Sequence, residues 1–307
     1  MKRIILAVAL LAGVCVGWAN PVLAGESERA FPDPAHLQLA SVNAVVFDRR
    51  TGEVLYAKNP DVVVPIASVS KLMTAMVVLD AKLPLNEKLD VGKPDIEATR
   101  GHFSRIRPGS IMSRKGLLKL ALMSSENRAA ASLARHYPGG MDAFVAAMNA
   151  KAEALGMNHS HFVEPTGLSQ ENVSTASDLR RMLSAAAHYP LIHEFTTTPN
   201  ELAHFKHPRY ALPFYNTNPL VRGERWNISV SKTGFTDDAG RCLVMLAQVD
   251  HRPLGIVLLD SLGKRTPIGD VSRIKRWLAT GRGGRVPNAA RRYAAERDMQ
   301  EHQIASQ

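Results

Sequence analysis

From Ser41 to Asp48 the chain is apolar and β-branched. Arg49-Arg50-Thr51-Gly52 follows as a turn, and Glu53 to Lys58 alternates apolar with polar positions. That pattern predicts a β-hairpin. Val62 to Ile66 is a short apolar approach, and at Ala67 the period changes. Leu72, Ala75, Met76 and Leu79 recur at helical spacing, with Ser68 near the helix start. Residues 84–113 are rich in Pro and Gly and read as loop. From Arg114 to about Leu183 the pattern is helical, running through Leu117 to Leu122, Ala129 to Leu133 and Met141 to Leu155, with a fresh start at Thr175-Ala176-Ser177-Asp178. Leu191 to Arg225 shows no period and reads as irregular. Trp226 to Ser231 alternates again. Cys242 to Val249 and Leu254 to Asp260 are apolar, separated by short turns, as expected of antiparallel neighbours. Val271, Ile274, Trp277 and Leu278 place one apolar face on a closing helix from Asp270 to Thr280.

Strands at both ends around a helical middle predict an α+β fold. One antiparallel sheet is built from both chain ends and flanked by helices, with a helical insert over about 84–190. The stretch 282–307 carries Arg282, Arg285, Arg291, Arg292 and Arg297 without an apolar stripe, and reads as a basic, polar, mobile tail rather than a membrane-surface helix.

Charge and the N-terminus add the compartment. The formal net charge of the 307 residues is +10, but the basic residues are scattered without runs or aromatic interleaving. That argues against nucleic acid and suits an anionic polymer. Lys2 and Arg3 precede an apolar run from Ile4 to Trp18, and small residues end at Ala24. This predicts a signal peptide over 1–24, cleaved after about Ala24, and an exported protein without a stable membrane anchor. Cys15 falls in that segment, so the exported chain keeps only Cys242, which reads as a small buried hydrophobe.

Four stretches match Ser-x-x-Lys: Ser68/Lys71, Ser229/Lys232, Ser261/Lys264 and Ser272/Lys275. In a helix, i and i+3 face the same way; in a strand they do not. Only Ser68/Lys71 opens a buried apolar helix. A serine hydroxyl needs a base to become a nucleophile. A lysine serves as that base only when burial or another cation lowers its pKa. The spacing therefore predicts a closed pocket with a second positive charge. Ser125-Glu126-Asn127 and then Lys232-Thr233-Gly234 follow in order, the latter ending an alternating strand, where Gly234 admits a close backbone approach.

The ordered set Ser-x-x-Lys, Ser-x-Asn, Lys-Thr-Gly resembles the signature of penicillin-binding proteins and serine β-lactamases. Ala67-Ser68-Val69-Ser70-Lys71-Leu72-Met73-Thr74-Ala75 and Phe162-Val163-Glu164-Pro165-Thr166-Gly167-Leu168-Ser169 are similar to stretches of the low-molecular-mass serine D,D-peptidases, peptidase family S11. Residues 121–190 and 226–260 resemble that family's endopeptidase branch, and the likeness spans about 37–281. The family's carboxypeptidase branch carries a second β-rich domain and an anchor, neither of which is read here.

The resemblance implies a β-lactamase/D,D-peptidase-like fold over 25–281. It implies peptidoglycan peptides as substrate, β-lactam antibiotics as covalent inhibitors, the periplasm as location, and neither metal nor cofactor. It implies cleavage of D-Ala–diaminopimelate cross-links, with carboxypeptidase trimming of pentapeptide stems as the alternative and β-lactamase activity as a minor one. By the same resemblance Ser68 is the nucleophile, Lys71 its base and Ser125 the relay to the leaving amine. Asn127, Lys232, Thr233, Gly234 and Phe235 bind substrate, and the Ser68 and Phe235 N–H groups form the oxyanion hole. Lys232 is the second cation near Lys71. Glu164-Pro165 resembles the deacylating glutamate of class A β-lactamases, but Leu168 stands where an asparagine is expected, so Glu164 reads as a loop residue. His159, His161, His204 and His207 read as surface histidines.

Overall fold

The two apolar ends of the chain meet in one antiparallel sheet. The computed structural model describes residues 30–223 and 226–305; the expected signal peptide, with its cleavage point and Cys15, lies outside them. The order of elements is β1 (Asn43–Asp48), β2 (Val54–Lys58), β3 (Val64–Pro65), a 3-10 turn (Ala67–Ser70), α1 (Lys71–Asp80), β4 (Lys88–Val91), α2 (Lys93–Ala98), β5 (Ser110–Ser113), α3 (Arg114–Met123), α4 (Asn127–Arg135) and α5 (Gly140–Ala154). Then come β6 (Val173–Ser174), α6 (Ala176–Ala186), α7 (Pro190–Thr196), β7 (Asn200–Phe205), β8 (Tyr210–Tyr215), β9 (Asn227–Thr236), β10 (Gly240–Val249), β11 (Arg252–Ser261), α8 (Thr266–Thr280) and α9 (Asn288–Ala305).

The main sheet runs β2-β1-β11-β10-β9. Val45 lies opposite Val257, Lys232 opposite Val244, and Gly234 opposite Cys242. First and last strands thus pair directly, as the apolar pattern at both chain ends predicts, and β9 forms one edge. Val45, Phe47, Val244, Leu246, Val257 and Leu259 turn one face into the core shared with α1, α3 and α6. The alternate residues Val46, Met245, Ile256 and Leu258 are equally buried, and α8 packs against β10 and β11 with Val271, Ile274 and Trp277 inward. Coverage of both faces is why these strands read as continuous apolar runs. Helix α1 packs against α3, α4, α5 and α6, and every residue from Lys71 to Val78 is buried. It is apolar nearly all round because it has no solvent side.

Three sequence readings need correction. The stretch 84–113, which reads as loop, holds α2 and the paired strands β4 and β5. The stretch 191–225, which reads as irregular, holds most of α7 and the β7–β8 hairpin. That hairpin buries only Ala203, Phe205 and Phe214, and Pro213 interrupts β8, so neither alternation nor propensity announces it. The stretch expected as a mobile tail is largely helix α9. It docks through polar contacts: Tyr293 Oη donates to Asp260 Oδ1 at 2.5 Å, and Arg297 Nε to Asp260 Oδ2 at 2.5 Å. Arg297 also donates to the Asp238 carbonyl at 2.8 Å, and Asn59 Nδ2 to Asp298 at 2.7 Å. Its buried apolar residues are Ala290 and Ala294, too small to mark an amphipathic stripe.

Candidate active site

Three segments distant in sequence converge at one end of α1. Ile66 ties the first to the 161–175 connection by donating its N–H to the Asn172 carbonyl at 3.1 Å. Ala67 adopts φ +48, and Ser68, half-buried, follows in the 3-10 turn. In such a turn residues i and i+3 eclipse, and Ser68 Oγ lies 2.9 Å from Lys71 Nζ. The pairing is the one expected, made by a tighter turn than the α-helix anticipated.

Lys71 is fully buried. Its Nζ also reaches Asn127 Oδ1 at 2.7 Å and the Thr166 carbonyl oxygen at 2.5 Å. An ammonium donates to all three neighbours. A neutral amine has two N–H groups, which the two carbonyl oxygens accept, and its lone pair then faces the serine hydroxyl. Burial lowers the Lys71 pKa to about 8, while the charges of Glu164 and Glu126 oppose the drop.

Ser125 sits between α3 and α4 at φ +60, a conformation that costs a non-glycine residue about 1–3 kcal/mol and persists where surroundings enforce it. Its Oγ accepts from Lys232 Nζ at 3.0 Å. Asn127 opens α4, with the Glu126 side chain accepting from the Arg128 N–H at the cap. On β9, Lys232 is buried and also donates to the Thr233 carbonyl at 2.7 Å. Burial, and after it the charge of Lys71, holds its pKa well below the ordinary lysine value. Desolvation is the larger cause for both amines, and the repulsion between the two ammonium groups acts with the same sign on each.

Thr233 Oγ1 donates to Thr217 Oγ1 at 2.6 Å, and the Thr217 N–H donates to the Met123 carbonyl at 3.1 Å. A Cβ on Gly234 would lie 3.0 Å from the Ile66 carbonyl oxygen and 3.2 Å from the Ser68 nitrogen. A larger residue would have to push β9 or the nucleophile segment apart by a few tenths of an ångström. Phe235 is exposed, with the Arg241 guanidinium 3.4 Å from its ring centroid.

Ser68, Lys71, Ser125, Asn127, Lys232, Thr233 and Gly234 thus lie together beside the start of α1, with the exposed Phe235 next to them in sequence. His159, His161, His204 and His207 are exposed. No group of three or more His, Cys, Asp or Glu side chains among the described residues is placed to hold a metal ion. No helix among them is long and apolar enough to cross a membrane.

A family sequence model described as D-alanyl-D-alanine carboxypeptidase matches residues 29–263. The chain belongs to the peptidase S11 family. This S11 protein is 55% identical over 267 residues to a D-alanyl-D-alanine endopeptidase of Pseudomonas aeruginosa, covering 87% of this chain and 86% of that one. It is 54% identical to another of that description from Escherichia coli, covering 86% and 85%. The fold matches the Streptomyces K15 DD-transpeptidase with a TM-score of 0.72 at 25% identity, over 78% of this chain and 97% of that one. It also matches the ampicillin-bound penicillin-binding protein D2 of Listeria monocytogenes, with a TM-score of 0.66 at 31% identity over 78% and 96%. The S11 protein is a serine-type D-Ala-D-Ala peptidase with a β-lactamase-like fold.

Several residues of this site lie outside the three motifs, and nothing in the sequence assigned them a role there. Thr166 contributes a backbone carbonyl, which any residue type supplies. Thr217 acts through a hydroxyl in a stretch without periodicity. Asn172 is fully buried and holds the connection together: Oδ1 accepts from the Val163 N–H at 2.8 Å, and Nδ2 donates to Ser70 Oγ at 3.1 Å.

Proposed function

We propose that this protein is a D-alanyl-D-alanine endopeptidase that hydrolyses the D-Ala–diaminopimelate cross-links of peptidoglycan and is acylated by β-lactams at Ser68. The observation that carries the reading is the environment of Lys71: a buried amine whose two carbonyl acceptors leave one lone pair for the Ser68 hydroxyl. Ser68 Oγ attacks the D-Ala carbonyl carbon while its proton passes to Lys71 Nζ. The oxyanion is held by the N–H groups of Ser68 and Phe235, each worth ~3–4 kcal/mol in comparable sites. When the C–N bond breaks, the leaving amine takes a proton through Ser125 Oγ, which Lys232 supports at 3.0 Å. Water then cleaves the ester with Lys71 again as base. Lys232 and Thr233 hold the α-carboxylate of the leaving group, and Asn127 holds the acyl-side peptide. Edge strand β9 offers its backbone for pairing with an extended peptide.

Endopeptidase is favoured over carboxypeptidase because the two relatives at 54–55% identity are described as endopeptidases. A β-lactamase of the class A type needs a free carboxylate to activate the deacylating water. Both Glu164 oxygens are taken up by the connecting loop, which argues against that alternative. The basic N-terminal run and the apolar segment after it support export to the periplasm, the scattered basic residues argue against a nucleic-acid partner, and the proposed steps use neither metal nor cofactor.

Digestion of purified cross-linked muropeptide dimers tests the activity. Monomers are expected from the wild-type protein and none from Ser68→Ala. Trimming of pentapeptide stems with dimers left intact would reassign it to carboxypeptidase.

A further inference from the structure

Glu164 lies in the connection between α5 and β6 and is not among the motif residues, yet it is the hub of that segment. Its Oε2 accepts from the Thr166 N–H and Thr166 Oγ1, both at 2.6 Å. Its Oε1 accepts from the Gly167 N–H at 2.6 Å, the Leu168 N–H at 2.9 Å and Asn172 Nδ2 at 3.1 Å. With the Ser169 N–H at 3.4 Å from Oε1, one carboxylate thus gathers four successive backbone N–H groups and turns their peptide planes. The Thr166 carbonyl is left pointing at Lys71 Nζ, 2.5 Å away. The loop it shapes is pressed on the nucleophile segment from the other side. A Cβ on Gly167, at φ +77, would fall 1.9 Å from the Ala67 carbonyl oxygen, and Thr74 Oγ1 donates to the Pro165 carbonyl at 2.7 Å.

We propose that Glu164 is a positioning residue for Lys71: by folding residues 166–169 around its carboxylate it aims the Thr166 carbonyl at the amine and so presents the lone pair to Ser68. The inference rests on the proposed role of Lys71 as the base. A hydrolytic role for Glu164 does not fit the same contacts. Those donors, six with the Ser169 N–H, occupy both oxygens, and a carboxylate so engaged has no lone pair directed at a water. The charged groups that act on Lys71 are Glu164 from this loop, Glu126 from the start of α4 and Lys232 from β9, the last a like charge. Glu164 therefore acts on the base twice, through the carbonyl it places and through its own negative charge, which favours the ammonium form.

The two actions separate in the pH dependence of acylation. The second-order rate of labelling by a fluorescent penicillin is measured from pH 6 to 10 for wild type, Glu164→Gln and Glu164→Asp, each checked for a cooperative thermal transition. In Glu164→Gln the charge is gone and one oxygen becomes an N–H donor. The acid limb is expected to move down by roughly half a unit to one unit, and the alkaline plateau to fall on the order of 10–100-fold as the Thr166 carbonyl drifts. In Glu164→Asp the charge stays but the reach is shorter by one methylene, so the limb stays and the plateau falls.

A Glu164→Gln protein whose limb and plateau both match wild type overturns the proposal. So does a limb that moves up, because that marks water entering a loosened loop and a merely structural role. If Glu164→Gln is not recovered folded, Glu164→Asp decides: a wild-type plateau overturns the proposal, and a lowered plateau with an unmoved limb supports it. Failure of the underlying reading looks different. Wild type would then not be labelled at all, or Ser68→Ala would be labelled as well.

Discussion

Replacing Lys71 with methionine should abolish acylation and yet leave a more stable protein at neutral pH. The side chain is fully buried, and burial lowers its pKa from 10.5 to about 8. The unfolded chain keeps that proton up to 10.5, whereas the folded chain gives it up near 8. Between those values the unfolded state binds more protons, so stability rises with pH across this window, and at pH 7 the wild-type protein carries the whole penalty. At ~1.4 kcal/mol per pH unit, the gap between 10.5 and about 8 amounts to about 3 kcal/mol. Methionine fills a similar volume without charge, but it leaves Asn127 Oδ1 and the Thr166 carbonyl without their donor, at about 1 kcal/mol each. The net gain at pH 7 is then on the order of 1 kcal/mol. Removing the Lys71 charge also relieves Lys232, which adds to the gain with the same sign.

Urea unfolding followed by tryptophan fluorescence reads this out, at pH 7 and pH 10, for both proteins. Cys242, whose thiol burial pushes up to about 12, and Tyr293, raised by burial and by Asp260, titrate alike in both and cancel in the difference. The variant's advantage should shrink by about 2–3 kcal/mol between the two pH values, as wild type sheds its buried charge. A difference that does not change with pH, or a variant less stable at pH 7 than at pH 10 relative to wild type, would refute the idea of an amine driven toward neutrality by burial. The same variant should show no labelling by fluorescent penicillin at any pH.

Ser125→Ala should slow cleavage of muropeptide dimers on the order of 10²–10⁴-fold while the thermal midpoint stays within a few degrees. A rate near wild type would remove Ser125 from the proton path. Gly167→Ala forces a Cβ to within 1.9 Å of the Ala67 carbonyl oxygen at φ +77. It should cost on the order of 3 kcal/mol or more and suppress penicillin labelling, both read on the purified variant. Truncation after Pro287 removes α9 and leaves the buried Asp260 carboxylate without Tyr293 and Arg297. The expected loss is on the order of 3 kcal/mol by denaturant unfolding. Tyr293→Phe should lose about 1 kcal/mol, and a truncated protein as stable as the full chain would show the helix to be dispensable.

What the sequence discloses depends on whether a task needs a side chain of a given type. The roles proposed for Ser68, Lys71, Ser125 and Lys232 need side chains of given types, so these residues stand out through the ordered motifs, their element context and the family resemblance, although Ser-x-x-Lys by itself occurs four times. The sheet is legible because the central residues of β1, β10 and β11 are buried on both faces and are apolar in continuous runs. The β7–β8 hairpin and α9 are not legible, because Pro213 disguises one and the other docks through Tyr293, Arg297 and two alanines. Least visible is what would let Lys71 serve as the base in the proposed mechanism. A buried lysine surrounded only by hydrocarbon would be neutral but aimless, free to turn its lone pair anywhere. The Thr166 carbonyl removes that freedom, and a carbonyl leaves no mark in a sequence. Its traces are indirect: Gly167, because no other residue lets the loop lie against Ala67 and Ser68, and Glu164, because some group has to satisfy the N–H donors that the turn exposes. In this site the motif residues state what chemistry is done, and the residues between the motifs decide whether the amine points the right way to do it.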